Sequence, residues 1–261
     1  MKCLKLGCRL AFIIVILFSQ CTRSPKQFTE LSAEITGLNF RNDIVETQHT
    51  NIMTYEYSYN GAGVAAGDIN NDGLADLYFS GNSVPNKLFI NKGNFRFEDI
   101  TAQSKTEGRK DWRTGVTMAD VNADGLLDIY VCYSGDLPGI KRTNELLINK
   151  GLDKNGKPVF LDEALQWGIA DSAYSTQSSF FDYDKDGDLD MILINHNPRP
   201  FPNLDEAYLT FLKNKPNLTT GVKLFQNTGN SFRESTPSPK LKLVLTIPAP
   251  VVFSLKLLPV F

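Results

Sequence analysis

Carboxylates and amides recur at one fixed spacing in three stretches of the chain. The first holds Asp68, Asn70, Asp72 and Asp76, and the second Asp120, Asn122, Asp124 and Asp128. The third holds Asp182, Asp184, Asp186, Asp188 and Asp190. Each stretch is a nine-residue phrase with oxygen-bearing side chains at positions 1, 3, 5 and 9. Gly73, Gly125 and Gly187 stand at position 6. Oxygen donors at alternate positions curl around one hard cation, and the glycine permits the bend. The backbone carbonyl of position 7, from Leu74, Leu126 or Asp188, adds a further oxygen. Ca²⁺ fits this donor set, because it takes about six to eight oxygens in flexible geometry. The expectation is three calcium sites.

Asp and Asn followed by Gly also make plain turns. A shared register in three copies argues against that reading, and so does electrostatics. Two like charges about 4 Å apart cost ~4 kcal/mol at an effective dielectric of 20, and each loop crowds at least three carboxylates. An EF-hand is excluded. It needs a bidentate Glu at position 12 and flanking helices, whereas position 12 is Phe79, Val131 and Leu193.

The elements that position the loops are strands. Gly63–Gly67, Gly115–Ala119 and Gln177–Phe181 precede them; Leu77–Ser80, Ile129–Tyr133 and Met191–Ile194 follow. These short apolar, β-branched and aromatic runs predict a strand–loop–strand hairpin around each ion. A second hairpin follows each loop. Leu88–Ile90, Leu146–Ile148 and Leu224–Gln226 lead into Asn91-Lys-Gly93, Asn149-Lys-Gly151 and Asn227-Thr-Gly229, and then into Phe97, Phe160 and Phe232. Each unit therefore has about four short strands, and the loops start 52 and 62 residues apart (68, 120 and 182). Four-stranded antiparallel units at such a period predict an all-β protein of β-propeller blades.

On these motifs the chain resembles the FG-GAP/VCBS repeat proteins, whose blades are similar to those of the integrin alpha-subunit propeller. Gly61–Asp68 through Asn91-Lys-Gly93-Asn-Phe95 looks like one such repeat. The wider run, about 28–236, resembles bacterial surface lipoproteins that carry these repeats ahead of an ASPIC/UnbV domain. The resemblance implies a calcium-stapled propeller, usually of seven blades, in extracellular recognition. It carries over as ligands Asp68, Asn70, Asp72, Leu74, Asp76 and the aligned residues of the other two loops, and it brings no catalytic residue. Three loops supply an incomplete propeller of about three to four blades, and nothing resembling an ASPIC/UnbV domain follows them.

Residues 1–20 read as a signal peptide, with Lys2, Lys5 and Arg9 before the apolar run Leu10–Phe18. Phe18-Ser-Gln-Cys21 then reads as a lipid-attachment site on Cys21, although Gln20 stands where a small residue is usual. An ordinary secretory signal is the competing reading. Residues 21–50 would be the tether and N-terminal segment, and 51–236 the repeats. The 237–261 tail contains no Gly, Asp, Asn or Glu, and reads as a truncated or frame-shifted end or as a hydrophobic closing strand. Pro248, Pro250 and Pro259 argue against a membrane helix there.

Loss of the leader leaves Cys21 and Cys132 as the only cysteines, which excludes a disulfide framework unless those two pair. It also leaves 24 basic residues against 29 acidic ones, of which eleven lie in the loops. The acidity is thus concentrated in the sites, and the lack of a basic stripe excludes a nucleic-acid partner. His49 and His196 belong to no catalytic motif, so an enzyme is not expected. Tyr55, Tyr57 and Tyr59 alternate as on a strand face, and Asn203–Leu212 reads as a short helix in an insertion. The expected function is a calcium-stabilised recognition or adhesion module at the bacterial envelope, with an extracellular protein or glycan as ligand and a lipid anchor in the outer membrane. The alternatives are a non-catalytic part of a larger polysaccharide- or peptide-processing protein, or a non-functional truncated product.

Overall fold

Twelve strands form in pairs around the turns that the sequence marks. In the computed structural model, which describes residues 27–48, 51–109, 111–197, 206, 210 and 219–236, they make three four-stranded antiparallel meanders. Sheet 1 contains β1 (Val64–Gly67), β2 (Asp76–Phe79), β3 (Lys87–Asn91) and β4 (Phe97–Asp99). Sheet 2 contains β5 (Trp112–Ala119), β6 (Asp128–Ser134), β7 (Glu145–Leu152) and β8 (Pro158–Asp162). Sheet 3 contains β9 (Ser175–Phe181), β10 (Asp190–Asn195), β11 (Gly221–Asn227) and β12 (Phe232–Glu234). This is the blade architecture read from the repeats. Two four-residue helices, α1 (Ala33–Thr36) and α2 (Thr101–Ser104), and a 3₁₀ turn (Gly139–Lys141) interrupt it among the described residues.

The sheets stack through apolar faces. Strand alternation sends Tyr78, Leu88 and Ile90 forward from sheet 1 onto Ile129, Val131, Leu147 and Phe160 of sheet 2. Tyr130, Cys132, Leu146 and Ile148 then project forward from sheet 2 onto Met191, Leu193, Phe225 and Phe232 of sheet 3. Cys132 is a fully buried free thiol in this second seam. Burying one such large side chain stabilises the fold by about 1.5–3 kcal/mol.

The inner strands approach closely. A Cβ on Gly63 would lie 2.6 Å from the Val116 backbone nitrogen, and one on Gly115 2.3 Å from the Thr176 carbonyl. Glycine is the residue that fits there. Hydroxyls cross the same gaps: Ser80 donates to the Thr114 carbonyl at 2.6 Å, and Thr117 to the Ser178 carbonyl at 2.8 Å.

Residues 51–60 form turns, not the strand that the Tyr55–Tyr59 alternation suggested. Their rings dock elsewhere. Tyr55 meets Trp112 edge-on, and both Tyr55 and Tyr57 pack on His196. The expected helix at 203–212 lies outside the described residues apart from Glu206 and Thr210, which are helical. The leader, Cys21 and the 237–261 tail also lie outside them. Among the described residues no helix is long and apolar enough to cross a membrane.

Candidate metal centre

Each loop joins the first two strands of its sheet, and all three repeat one backbone path. Position 4 takes a left-handed conformation at Asn71 (φ 57°), Ala123 (φ 57°) and Lys185 (φ 65°). Position 6 does so at Gly73 (φ 85°), Gly125 (φ 84°) and Gly187 (φ 97°). A Cβ on any of these three glycines would meet nothing within 4 Å. Their requirement is therefore conformational rather than steric. Sequence reading identified the glycine at position 6 and missed the strained residue at position 4, which carries no residue-type signature.

The side chains hold the loop closed. Asp68 Oδ1 accepts from the Asp72 N–H at 3.0 Å, and Oδ2 from the Gly73 N–H at 2.8 Å. Asp120 accepts in the same way from Asp124 and Gly125, at 3.1 and 2.9 Å. Asp182 accepts from Lys185 and Gly187, at 2.6 and 3.2 Å. Asp72, Asp124 and Asp186 each accept the N–H two residues on, from Leu74, Leu126 and Asp188. An ionised carboxylate has about four lone-pair sites, so these bonds leave each of them room for a cation.

The position-9 aspartates differ. Asp76, Asp128 and Asp190 are 0–1% exposed. Asp76 accepts from the Ile69 N–H at 2.9 Å and the Asn91 N–H at 2.7 Å. Asp128 takes Val121 and Asn149, and Asp190 takes Tyr183 and Asn227. Each therefore pins its loop to the third strand of its sheet. Burial, reinforced by the loop carboxylates, pushes Asp76 up to about 6 and Asp128 up to about 7, and raises Asp190. A bound divalent ion would relieve both causes.

The third loop, with an aspartate at position 3, brings three carboxylates together. Carboxylate oxygens of Asp182, Asp184 and Asp190 lie within 4.8 Å of one another, two of the residues exposed and one buried. In the other two loops an asparagine stands at position 3, and its amide donates to position 5: Asn70 to Asp72 at 3.0 Å, and Asn122 to Asp124 at 2.9 Å. The donor set is all oxygen at every loop, as a hard cation requires. Position 1, 3, 5 and 9 side chains with the position 7 carbonyl would hold Ca²⁺. Its chemistry there is neutralisation and cross-linking.

The asparagines of the second and third Asn-x-Gly turns have a role that the turn reading did not contain. Asn149 Nδ2 donates to the Ile69 carbonyl at 2.9 Å and to that of Leu127 at 3.2 Å. Asn227 Nδ2 donates to the carbonyls of Val121 and Leu189, both at 3.2 Å. Ile69 and Val121 are position 2 of the preceding sheet's loop. The turn of sheet 2 is thus stitched to the acidic loop of sheet 1, and the turn of sheet 3 to that of sheet 2.

At the opposite end of the sheets a cavity of about 440 Å³ opens between sheets 1 and 2, walled by Tyr55, Trp112 and Leu137 and lined by Glu107, Asp111 and Asp136. His196 lies nearby, half-buried and packed among Tyr55, Tyr57 and Tyr174. Desolvation lowers its pKa to about 4.

Comparison with known proteins agrees with the loops. Cartilage acidic protein 1 of Xenopus tropicalis is 33% identical over 136 residues, covering 52% of this chain and 20% of that protein. The Mus musculus protein of that name is 30% identical over 140 residues, with the same coverage. The Homo sapiens protein is 35% identical over 69 residues, 26% of this chain and 10% of that one. The chain thus matches no more than a fifth of the length of these relatives. Residues 68–131, from the first acidic loop through the second, match the FG-GAP-like repeat family.

Proposed function

We propose that the chain is a calcium-stabilised recognition module that acts outside the cell. The observation that carries this reading is the threefold recurrence of one loop geometry, with oxygen donors alone, at the same end of three stacked sheets. Calcium neutralises the crowded carboxylates and fixes that end. The opposite end, free of metal loops, then presents the cavity beside Tyr55 and Trp112 to a protein or glycan ligand. Aromatic walls with acidic and amide groups at the rim suit either ligand. The FG-GAP-like repeat supports an extracellular adhesion role. Export through the leader and attachment by lipid on Cys21 would place the module on a bacterial envelope, in line with the resemblance to surface lipoproteins.

Calcium titration with thermal unfolding tests the first part. Three ions should bind and raise the midpoint. Free calcium at 100 times the dissociation constant stabilises by about 2.7 kcal/mol per site. Asp72→Ala, Asp124→Ala or Asp186→Ala should each lower the stoichiometry from three to two. A midpoint indifferent to chelator overturns the calcium reading. Membrane fractionation tests the anchor: Cys21→Ser should release the chain, and unchanged membrane association refutes lipidation at that residue. Binding to a glycan array and to immobilised matrix proteins, with and without chelator, tests recognition. No calcium-dependent binder among either set counts against it.

A further inference from the structure

The acidic loops of sheets 1 and 2 are linked at three places. Asn71, at position 4 of the first loop, donates from Nδ2 to the Gly125 carbonyl at position 6 of the second, at 3.0 Å. Leu127, at position 8 of the second loop, lies over Gly67, which immediately precedes the first. A Cβ on Gly67 would fall 2.6 Å from Leu127 Cδ1. Asn149 adds the third link, since its one amide serves the carbonyls of Ile69 in the first loop and Leu127 in the second.

The second and third loops lack the first of these links. Asn227 repeats the amide bridge, to Val121 and Leu189. Position 4 of the second loop, however, is Ala123, whose side chain has no donor. Asn71 and Ala123 share a φ of 57°. The backbone path therefore does not depend on the asparagine, and the bond to Gly125 is what its amide adds.

That bond falls next to a donor of each loop. The Gly125 carbonyl belongs to the Gly125–Leu126 peptide, whose N–H donates to Asp124 Oδ1 at 2.9 Å. Asn71 and Asp124 thus grip one peptide plane from its two edges. The next carbonyl along the chain is that of Leu126, the backbone oxygen offered to a cation in the second loop. At the other end of the bond, Asn71 stands between Asn70 and Asp72, both donors of the first loop. Once engaged by a cation, Asn70 and Asp72 fix the backbone of Asn71, and with it the amide that orients the second loop.

We infer that Asn71 is a positioning residue that couples calcium binding in the first two loops. The inference rests on the calcium reading above. The Asn71 amide is a ligand in neither loop and acts through the Gly125–Leu126 peptide. Coupling is reciprocal, so occupancy of either loop raises the affinity of the other by the same factor. One hydrogen bond bounds that factor at about two- to tenfold. Sheets 1 and 2 therefore lock together over a narrower range of calcium than independent sites would allow.

Calcium titration of the whole chain, followed by NMR, tests it site by site. The N–H groups of Gly73, Gly125 and Gly187 each donate to the position-1 aspartate of their own loop, so each signal reports one site. Asp72→Ala empties the first loop and Asp124→Ala the second. Whichever of them removes the tighter site should weaken the other by about two- to tenfold. Asp72→Asn and Asp124→Asn repeat the test if the alanine variants do not fold. In the Asn71→Ala chain the same loss should leave the remaining site unchanged. A weaker site indifferent to its neighbour overturns the inference. So does a neighbour effect that survives Asn71→Ala, because the coupling then runs elsewhere. If none of the three signals moves with calcium, the calcium reading fails and the coupling with it.

Discussion

The side-chain amide of Asn149 reaches the Ile69 carbonyl across 80 residues of sequence, at 2.9 Å, and ties the turn of sheet 2 to the acidic loop of sheet 1. Asn149 is buried, and it also donates to Leu127. Asn149→Ala should therefore cost about 1–3 kcal/mol by leaving buried carbonyls unpaired. Asn91→Ala should cost less, since its Nδ2 makes a single exposed bond within its own sheet. Urea unfolding of the two variants measures the difference. Equal losses would show that the inter-sheet bond adds nothing.

Calcium dependence should itself depend on pH. Burial raises Asp76 to about 6 and Asp128 to about 7, above the ordinary unfolded value of about 4. In the ion-free protein these carboxyls favour the fold most when protonated. That stability is fully present below about pH 4 and is lost as pH rises through 6 to 7. Calcium needs the ionised groups, so its stabilising effect should grow over the same window. Thermal midpoints with calcium and with chelator, compared at pH 5 and 8, should diverge as pH rises. Parallel curves would contradict the assignment.

His196 gives the opposite slope. Its pKa is lowered to about 4 by desolvation, with the nearby Arg142 a smaller cause, and its Nδ1 is buried without a hydrogen-bond partner. A depressed histidine favours the fold above the unfolded pKa of 6.5, and that contribution is lost as pH falls from 6.5 towards 4. The full effect is at most about 3 kcal/mol at 1.36 kcal/mol per unit. His196→Phe should keep the ring packing and remove this loss, with little change at pH 8. Chemical denaturation at pH 8 and pH 5 reads the difference.

Gly63→Ala should destabilise by about 1–3 kcal/mol, as overpacking does. Its new methyl would meet the Val116 backbone nitrogen at 2.6 Å, and backbone cannot swing aside. Gly73→Ala, in open space at φ 85°, should cost about 1–2 kcal/mol through conformation alone. Double variants with Val116→Ala separate the causes, because a backbone clash at residue 63 persists when the Val116 side chain is shortened.

The loops and strands were legible because their causes are local. Alternation, β-branched runs and the Gly at position 6 act within a few residues, and the three sheets follow from them. What escaped reading acts across the fold. Asn149 and Asn227 look like turn residues by spacing, and their inter-sheet bonds depend on how sheets stack. Tyr55 and Tyr57 alternate like a strand, but they pack on a histidine some 140 residues away. The buried state of Asp76, Asp128 and Asp190, against the exposed position-5 carboxylates, is likewise set by their bonds to the third strand of the sheet and not by residue type.

Cys132 lies in the seam between sheets 2 and 3 with no exposed surface. Burial raises its thiol pKa far above the ordinary value, and the reactive form of a cysteine is the thiolate. The sulfur is therefore protected twice, by shielding and by protonation, for as long as the seam stays shut. The chain thus carries its own clock for seam opening: the rate at which an alkylating reagent consumes this one sulfur counts the moments when sheets 2 and 3 part.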